Sequence, residues 1–236
     1  MSTVLNDARP LTPRTGAQRE ARFFLIMALV SVGVLFAGFA PSFYLKSLIH
    51  APPPLSLLTV MHGLVFTVWM ALFVTQAALI ATERRAWHRQ LGMMGALLFG
   101  AMMTLGYWTA ITAGKLGHAP PGAPAPLAFM ALPLIAITGT LVLVGMALWN
   151  RRTSDWHMRL MLAAMFSLTS PGTGRIVIPM GLADYGTWIA LGVAELLLAV
   201  AMAYDQLTAK RIHPAYWYAV AVFAIVHVAV AWAFGS

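Results

Sequence analysis

Seven apolar stretches, each about 20 residues long, constrain what this chain can fold into. They lie at roughly 23–45, 57–81, 90–113, 127–149, 158–180, 186–205 and 216–235. In hydrocarbon every backbone N–H and C=O must find its partner within the segment, so a lone stretch of this length folds as a spanning helix. Little of the chain is left for anything else. It is 60% hydrophobic and 9% charged, against about 25% charged residues in soluble domains. The expectation is an all-α integral membrane bundle of seven transmembrane helices at 23–236, in the lipid bilayer, preceded by a cytoplasmic tail at 1–22. The first stretch resembles a signal peptide in its basic flank, but it is long enough to span, and Pro41 spoils a cleavage site after Ala40. It reads as a retained anchor. The longest connection, Lys115 to Pro126, is rich in Pro, Gly and Ala and reads as an irregular surface loop.

The basic residues orient these helices. With a cytoplasmic N-terminus, Arg9, Arg14, Arg19, Arg22, Arg84, Arg85, Arg89, Arg151, Arg152, Arg159, Lys210 and Arg211 lie inside, and Lys46, Lys115 and Arg175 outside. All 15 basic residues are thereby split 12 to 3, as the positive-inside rule expects. The net charge of +8 does not imply nucleic acid, because the charges are scattered between apolar runs. The chain has no Cys, which excludes disulfides, thiolate ligands and Cys nucleophiles. No phosphate-binding loop, nucleophile elbow or dinucleotide fingerprint is present.

A weak repeat runs through the inner connections. Arg84-Arg85-Ala86-Trp87-His88, Arg151-Arg152-Thr153-Ser154-Asp155-Trp156-His157 and Lys210-Arg211-Ile212-His213 each set a basic pair and a His before an outward-running stretch. Stretches two and three, four and five, and six and seven are thus expected to be related hairpins. His88, His157 and His213 fall at one depth. Neutral imidazole ligates zinc, copper and iron, so the three form a candidate metal or haem site, with Asp155, Asp205 and Glu83 near enough in sequence to orient them. The other open reading is that they cap helix starts among the headgroups.

Three further features carry polar chemistry at membrane depth. His62, Phe66, Trp69, Phe73 and Gln76 recur at helical spacing, and a stripe of this kind is expected to face the bundle interior. Glu195 lies near the middle of the sixth stretch, and His227 falls at a similar depth on the seventh. The two are expected to meet, as a proton relay, a contact to a haem propionate or quinone, or a packing pair. Ser170-Pro171-Gly172-Thr173-Gly174 breaks the fifth stretch, and Arg175 follows it. That corner either holds an anionic or carbonyl group or is a kink with Arg175 snorkelling. Gly92, Ala96, Gly100 and Thr104 form a small-residue stripe for close packing.

His62 with Phe66, Trp69, Phe73 and Gln76, the run His88-Arg89-Gln90-Leu91-Gly92, His157-Met158-Arg159 and the 18-residue spacing from His157 to Arg175 resemble the landmarks of an uncharacterised family of bacterial multi-pass membrane proteins. The resemblance implies a shared fold, the bacterial inner membrane, and a site on His62, His88, His157, Arg175 and His213, but no activity. The layout is distantly similar to two-haem cytochrome b proteins. It lacks the His-x-x-x-His pair of the zinc hydrolases related to alkaline ceramidase. The leading expectation is a redox or electron-transfer component binding haem or a divalent metal through His62, His88, His157 and His213. Arg175 would be a propionate partner, Glu195, His227 and Asp205 proton-linked groups, and quinone or another membrane subunit the partner. The alternatives are a proton-coupled transporter or small-ligand binder, and an assembly subunit of a larger complex.

Overall fold

The computed structural model describes residues 16–49, 54–120 and 122–235. Arg9, Arg14 and Pro121 of the features above lie outside them. All regular structure among the described residues is helical. Helix α1 (Gly16–Phe39) continues into a wider π-helical turn, Ala40–Tyr44. It is followed by α2 (Leu57–Ala81), α3 (Arg85–Lys115), α4 (Pro126–Trp149), α5 (Ser154–Ser167), α6 (Ser170–Val177), α7 (Gly186–Ala209) and α8 (Pro214–Gly235). Among the described residues six helical segments, α1 with its turn, α2, α3, α4, α7 with the turn before it, and α8, are long and apolar enough to cross a membrane. This is the architecture of a multi-pass membrane protein.

The helices outrun the apolar stretches at the basic end. α1 begins at Gly16 and α3 at Arg85, because Arg and Glu keep good helix propensity where hydropathy stops. Ser56 caps α2 by accepting from Thr59 N at 3.2 Å, and Lys115 sits in the last turn of α3, where a cation complements the helix dipole. Ala40–Tyr44 is the exception to a simple stop: Pro41 cannot supply an N–H, and the chain widens instead of ending.

The fifth stretch is two helices around a break, and it lies at the heart of the bundle. α5 packs against α1, α4, α7 and α8, and Arg159, Leu160 and Leu162 to Phe166 are all buried. The break is closed by its own hydroxyls. Thr169 Oγ1 donates to Phe166 O at 2.6 Å, Ser170 Oγ to Ser167 O at 3.2 Å, and Thr173 Oγ1 to Thr169 O at 3.2 Å. Thr140 of α4 and Ser167 join hydroxyl to hydroxyl at 2.7 Å. Pro171 has no N–H for Ser167 O, and the Ser170 hydroxyl takes that carbonyl; Phe166 O and Thr169 O keep backbone donors as well, Thr169 N at 3.0 Å and Thr173 N at 2.9 Å. Beyond the break α6 crosses α1 backbone to backbone. A Cβ on Gly38 would stand 2.1 Å from Gly172 O, and one on Gly172 3.0 Å from Leu35 Cα. Only glycine fits at that crossing.

α2 with α3 and α4 with α5 are closely packed antiparallel hairpins, as the repeat predicts. The third is different: α7 and α8 touch sparingly, and α8 packs chiefly on α4, where Gly139 admits Val226. The outward faces carry Leu97, Ile225, Val228 and Trp232, apolar side chains suited to lipid.

Candidate functional site

Two of the three basic-end imidazoles come together. The rings of His88 and His157 lie edge to face, with centroids 6.3 Å apart. The hairpin repeat explains their placing. His88 Nδ1 meets the carbonyl of Gln76 at 3.4 Å, and His157 Nδ1 meets that of Ala147 at 2.9 Å. Each ring thus turns back to the last turns of the helix before it. A carbonyl oxygen only accepts, so Nδ1 must carry the proton, and in the neutral ring Nε2 is left with a free lone pair. Tying one ring nitrogen and freeing the other is how ligating histidines are oriented.

Gln76 adds the second element. Its backbone carbonyl holds His88, and its side-chain amide is buried with neither Oε1 nor Nε2 hydrogen-bonded among the described residues. The amide packs over Gly92, where an added Cβ would lie 3.7 Å from Nε2, one helical turn along α3 from His88. Burying an amide without partners costs about 1–3 kcal/mol. Inward from it the stripe of α2 continues as predicted. Trp69 is buried against Phe73 and Phe99, with ring centroids 5.4 and 5.6 Å away.

The other predicted ligands go elsewhere. His62 belongs to the same stripe but lies 14 residues from Gln76, about 21 Å along α2. Its ring packs near Phe66 and Gly106, and its buried Nδ1 has no partner among the described residues. His213 leaves the pair altogether. Its Nδ1 accepts from Ala215 N at 3.2 Å, capping α8, and its ring stands against Trp156. The three-histidine arrangement is therefore replaced by a pair and a cap. Among the described residues no group of three or more His, Asp or Glu is placed to hold a metal ion. Arg175 donates to Pro171 O at 3.0 Å and stacks over the Phe39 ring at 4.2 Å. It lies at the opposite end from His88 and His157, near enough to His62 for its charge to act there.

Asp205 pairs with Arg159, which the charge pattern counts among the inner basic residues. Arg159 Nε and Nη2 each reach the Asp205 carboxylate at 2.9 Å, and Nη2 reaches Glu20 at 2.6 Å. The guanidinium also lies 5.8 Å from the ring centroids of Phe24 and Tyr216. Arg159 and Asp205 are 6% and 2% exposed, so this is a buried ion pair with a second, partly exposed acid, Glu20. It ties α1, α5 and α7, and His213 N, at 3.3 Å from Asp205 Oδ2, brings in the start of α8. Burial, and after it the Arg159 charge, hold the His213 imidazole below its usual range. The available signal was an Arg and an Asp just inside the apolar margins, where neither survives unpaired.

Glu195 and His227 meet as expected, with Nδ1 to Oε1 at 2.8 Å. They do so on the outside of the bundle: the side chains are 43% and 38% exposed. Trp188 stacks on His227, with centroids 5.4 Å apart and planes 23° from parallel.

No family model matches the chain, and its comparison with curated proteins and with solved structures found no match.

Proposed function

We propose that this protein holds a metal ion, free or within haem, at the paired imidazoles of His88 and His157, and that it serves membrane electron transfer. One observation carries the reading: both rings tie Nδ1 to a backbone carbonyl, and among the described residues no hydrogen bond uses Nε2 of either. Two ligand nitrogens on one ion stand at most about 4 Å apart, a separation that rings with centroids 6.3 Å apart can give their near nitrogens. The unspent amide of Gln76 supports the same place. A bound iron or copper would supply a one-electron couple. This chain's own contribution is to fix both tautomers through the carbonyls of Gln76 and Ala147 and to set the two rings edge to face.

The setting proposed for this site is the inner membrane of a bacterium. α5 and α6 together form the seventh crossing, since α5 begins beside Glu20 of α1 and α6 ends beside Phe39 of the same helix. The charge split of 12 to 3 supports a cytoplasmic N-terminus, and the bacterial family resemblance supports the membrane. On this reading His88 and His157 lie near the cytoplasmic face. The transporter alternative loses its chief motive, because the broken helix closes on its own hydroxyls.

The test is an absorbance spectrum with elemental analysis of the purified protein. The expected result is a haem band, or one ion per chain, that falls below about a tenth in His88→Ala and in His157→Ala, as loss of one of two ligands implies. A colourless, metal-free parent that takes up neither haem nor copper, zinc or iron overturns it.

A further inference from the structure

The Glu195–His227 pair is placed where a packing pair has no reason to be. Glu195 is nine residues into α7 and His227 eight residues from the end of α8. Both are therefore about 12–14 Å from that end of the bundle, in a core about 30 Å thick. Headgroups are out of reach of both side chains at that depth. Yet the side chains are 43% and 38% exposed on the outer face of α7 and α8. Their mutual bond uses one oxygen and one nitrogen. Among the described residues no hydrogen bond uses Glu195 Oε2 or His227 Nε2. Intramembrane ionisable groups ordinarily face the bundle interior. A pair turned outward with bonding capacity left over requires a partner that arrives through the lipid.

The surroundings describe that partner. Trp188 lies flat on His227, and Phe234 stands edge-on to Trp188 at 6.1 Å, which gives the polar pair a flat aromatic wall. Behind it α7 and α8 pack loosely, and a cavity of about 20 Å³ runs inward past Glu195 and Ala194 to Ser167 and Ser170. That volume suits a water molecule and not a ring, so a ring-bearing ligand must sit on the outer side.

We infer that Glu195, His227 and Trp188 form a lateral binding site for the head of a lipid-soluble quinone or quinol. The ring lies along Trp188, and its oxygens bond to the carboxyl and the imidazole. The claim is one of binding, with no electron-transfer step, and it stands on residues separate from His88 and His157.

The test uses the full chain in phosphatidylcholine nanodiscs, with a short-tailed ubiquinone as probe and tryptophan quenching as readout. Saturable quenching is expected in the parent. Trp188→Phe should remove the saturable part, and Glu195→Ala and His227→Ala should each weaken apparent affinity about tenfold, the worth of one good hydrogen bond. His88→Ala should bind the probe as the parent does, which separates this site from the metal or haem site. Quenching that rises linearly and equally in parent and Trp188→Phe overturns the proposal, and that variant decides the matter even where the polar variants fail to fold. So does a palmitate competitor that displaces the probe more strongly than added quinone does. A parent dimer that Glu195→Ala converts to a monomer, with no saturable binding in either, assigns the face to a second copy and also overturns it.

Discussion

The basic end of the bundle holds two polar clusters that spend their bonding capacity in opposite ways. Around Arg159 the charges are used up within the protein. Asp205 takes two guanidinium bonds, Glu20 takes a third contact, and the aromatic rings of Phe24 and Tyr216 flank the cation. Around His88 and His157 capacity is left over, in two Nε2 atoms and in the amide of Gln76. The Arg159–Asp205 pair is buried, the two imidazoles are half-buried, and a polar group shut away from water without a partner is costly. A cluster whose charges are all paired needs no further partner for them, although the Tyr216 hydroxyl beside it is buried with no hydrogen bond among the described residues. An unsatisfied one does, and that difference directs attention to the histidines rather than to the stronger charges.

Arg159→Ala breaks the comparison most severely. It leaves Asp205 buried without its cation, and breaking a buried pair costs about 3–5 kcal/mol. Unfolding of the detergent-solubilised protein should show that loss, whereas His88→Ala and His157→Ala in ligand-free protein should cost clearly less. Equal losses would mean that the imidazoles are as structural as the ion pair. Arg159→Lys should recover only part of the stability, since an ammonium cannot make the two-pronged contact.

Gln76→Leu is the sharper probe. It removes two unpartnered atoms at nearly constant volume, so ligand-free protein should gain about 1 kcal/mol. The same change should weaken metal or haem retention. Tyr216→Phe asks the question inside the Arg159 cluster, where the Tyr216 hydroxyl is buried and has no hydrogen bond. A gain of similar size is expected there, with no effect on the ligand. A loss in either variant would show that the atom has a partner after all.

The smallest effect is a pH slope. His213 lies between α7 and α8, with its proton affinity depressed by burial and by Arg159. The folded state then binds fewer protons than the unfolded one. The stability linked to this group is full above the ordinary imidazole range, near pH 6.5, and is lost as pH falls below it. His213→Asn, which keeps a capping oxygen for α8, should flatten the slope of the unfolding midpoint between pH 7 and pH 5. An unchanged slope would assign it to other groups.

Much of the fold was legible because hydropathy and length are local quantities. The expected stretch at 57–81 coincides with α2, and 127–149 differs from α4 by one residue. A break beside Pro171 was legible too, but it falls at Leu168 and Thr169, and Ser170 to Gly174, expected to be broken, are helical in α6, because a proline is accepted in the first turn of a helix. Its closure by Thr169, Ser170 and Thr173 was not, since a hydroxyl that turns back on a helix looks like any other. The site was read in part. The repeat pointed to His88 and His157 as neighbours, and the two rings do meet, for the same turn geometry returns each ring to the helix before it. It misled at His213, because the third hairpin opens and Asp205 has turned towards Arg159 and the start of α8. Glu20 was unreadable as a partner, since 139 residues separate it from Arg159.

Residue order alone thus dictated where the chain becomes helical, where those helices stop and which ends collect positive charge. Each of these depends on a window of neighbours and on transfer from water to hydrocarbon. Which side chains meet depended on how each helix is rotated and how closely it approaches the next. That was settled by distant contacts such as Gly38 on Gly172 and Gly139 on Val226. Close packing allows only a few mutual orientations of the helices, and a rotation of one residue's width turns a ligand into a cap.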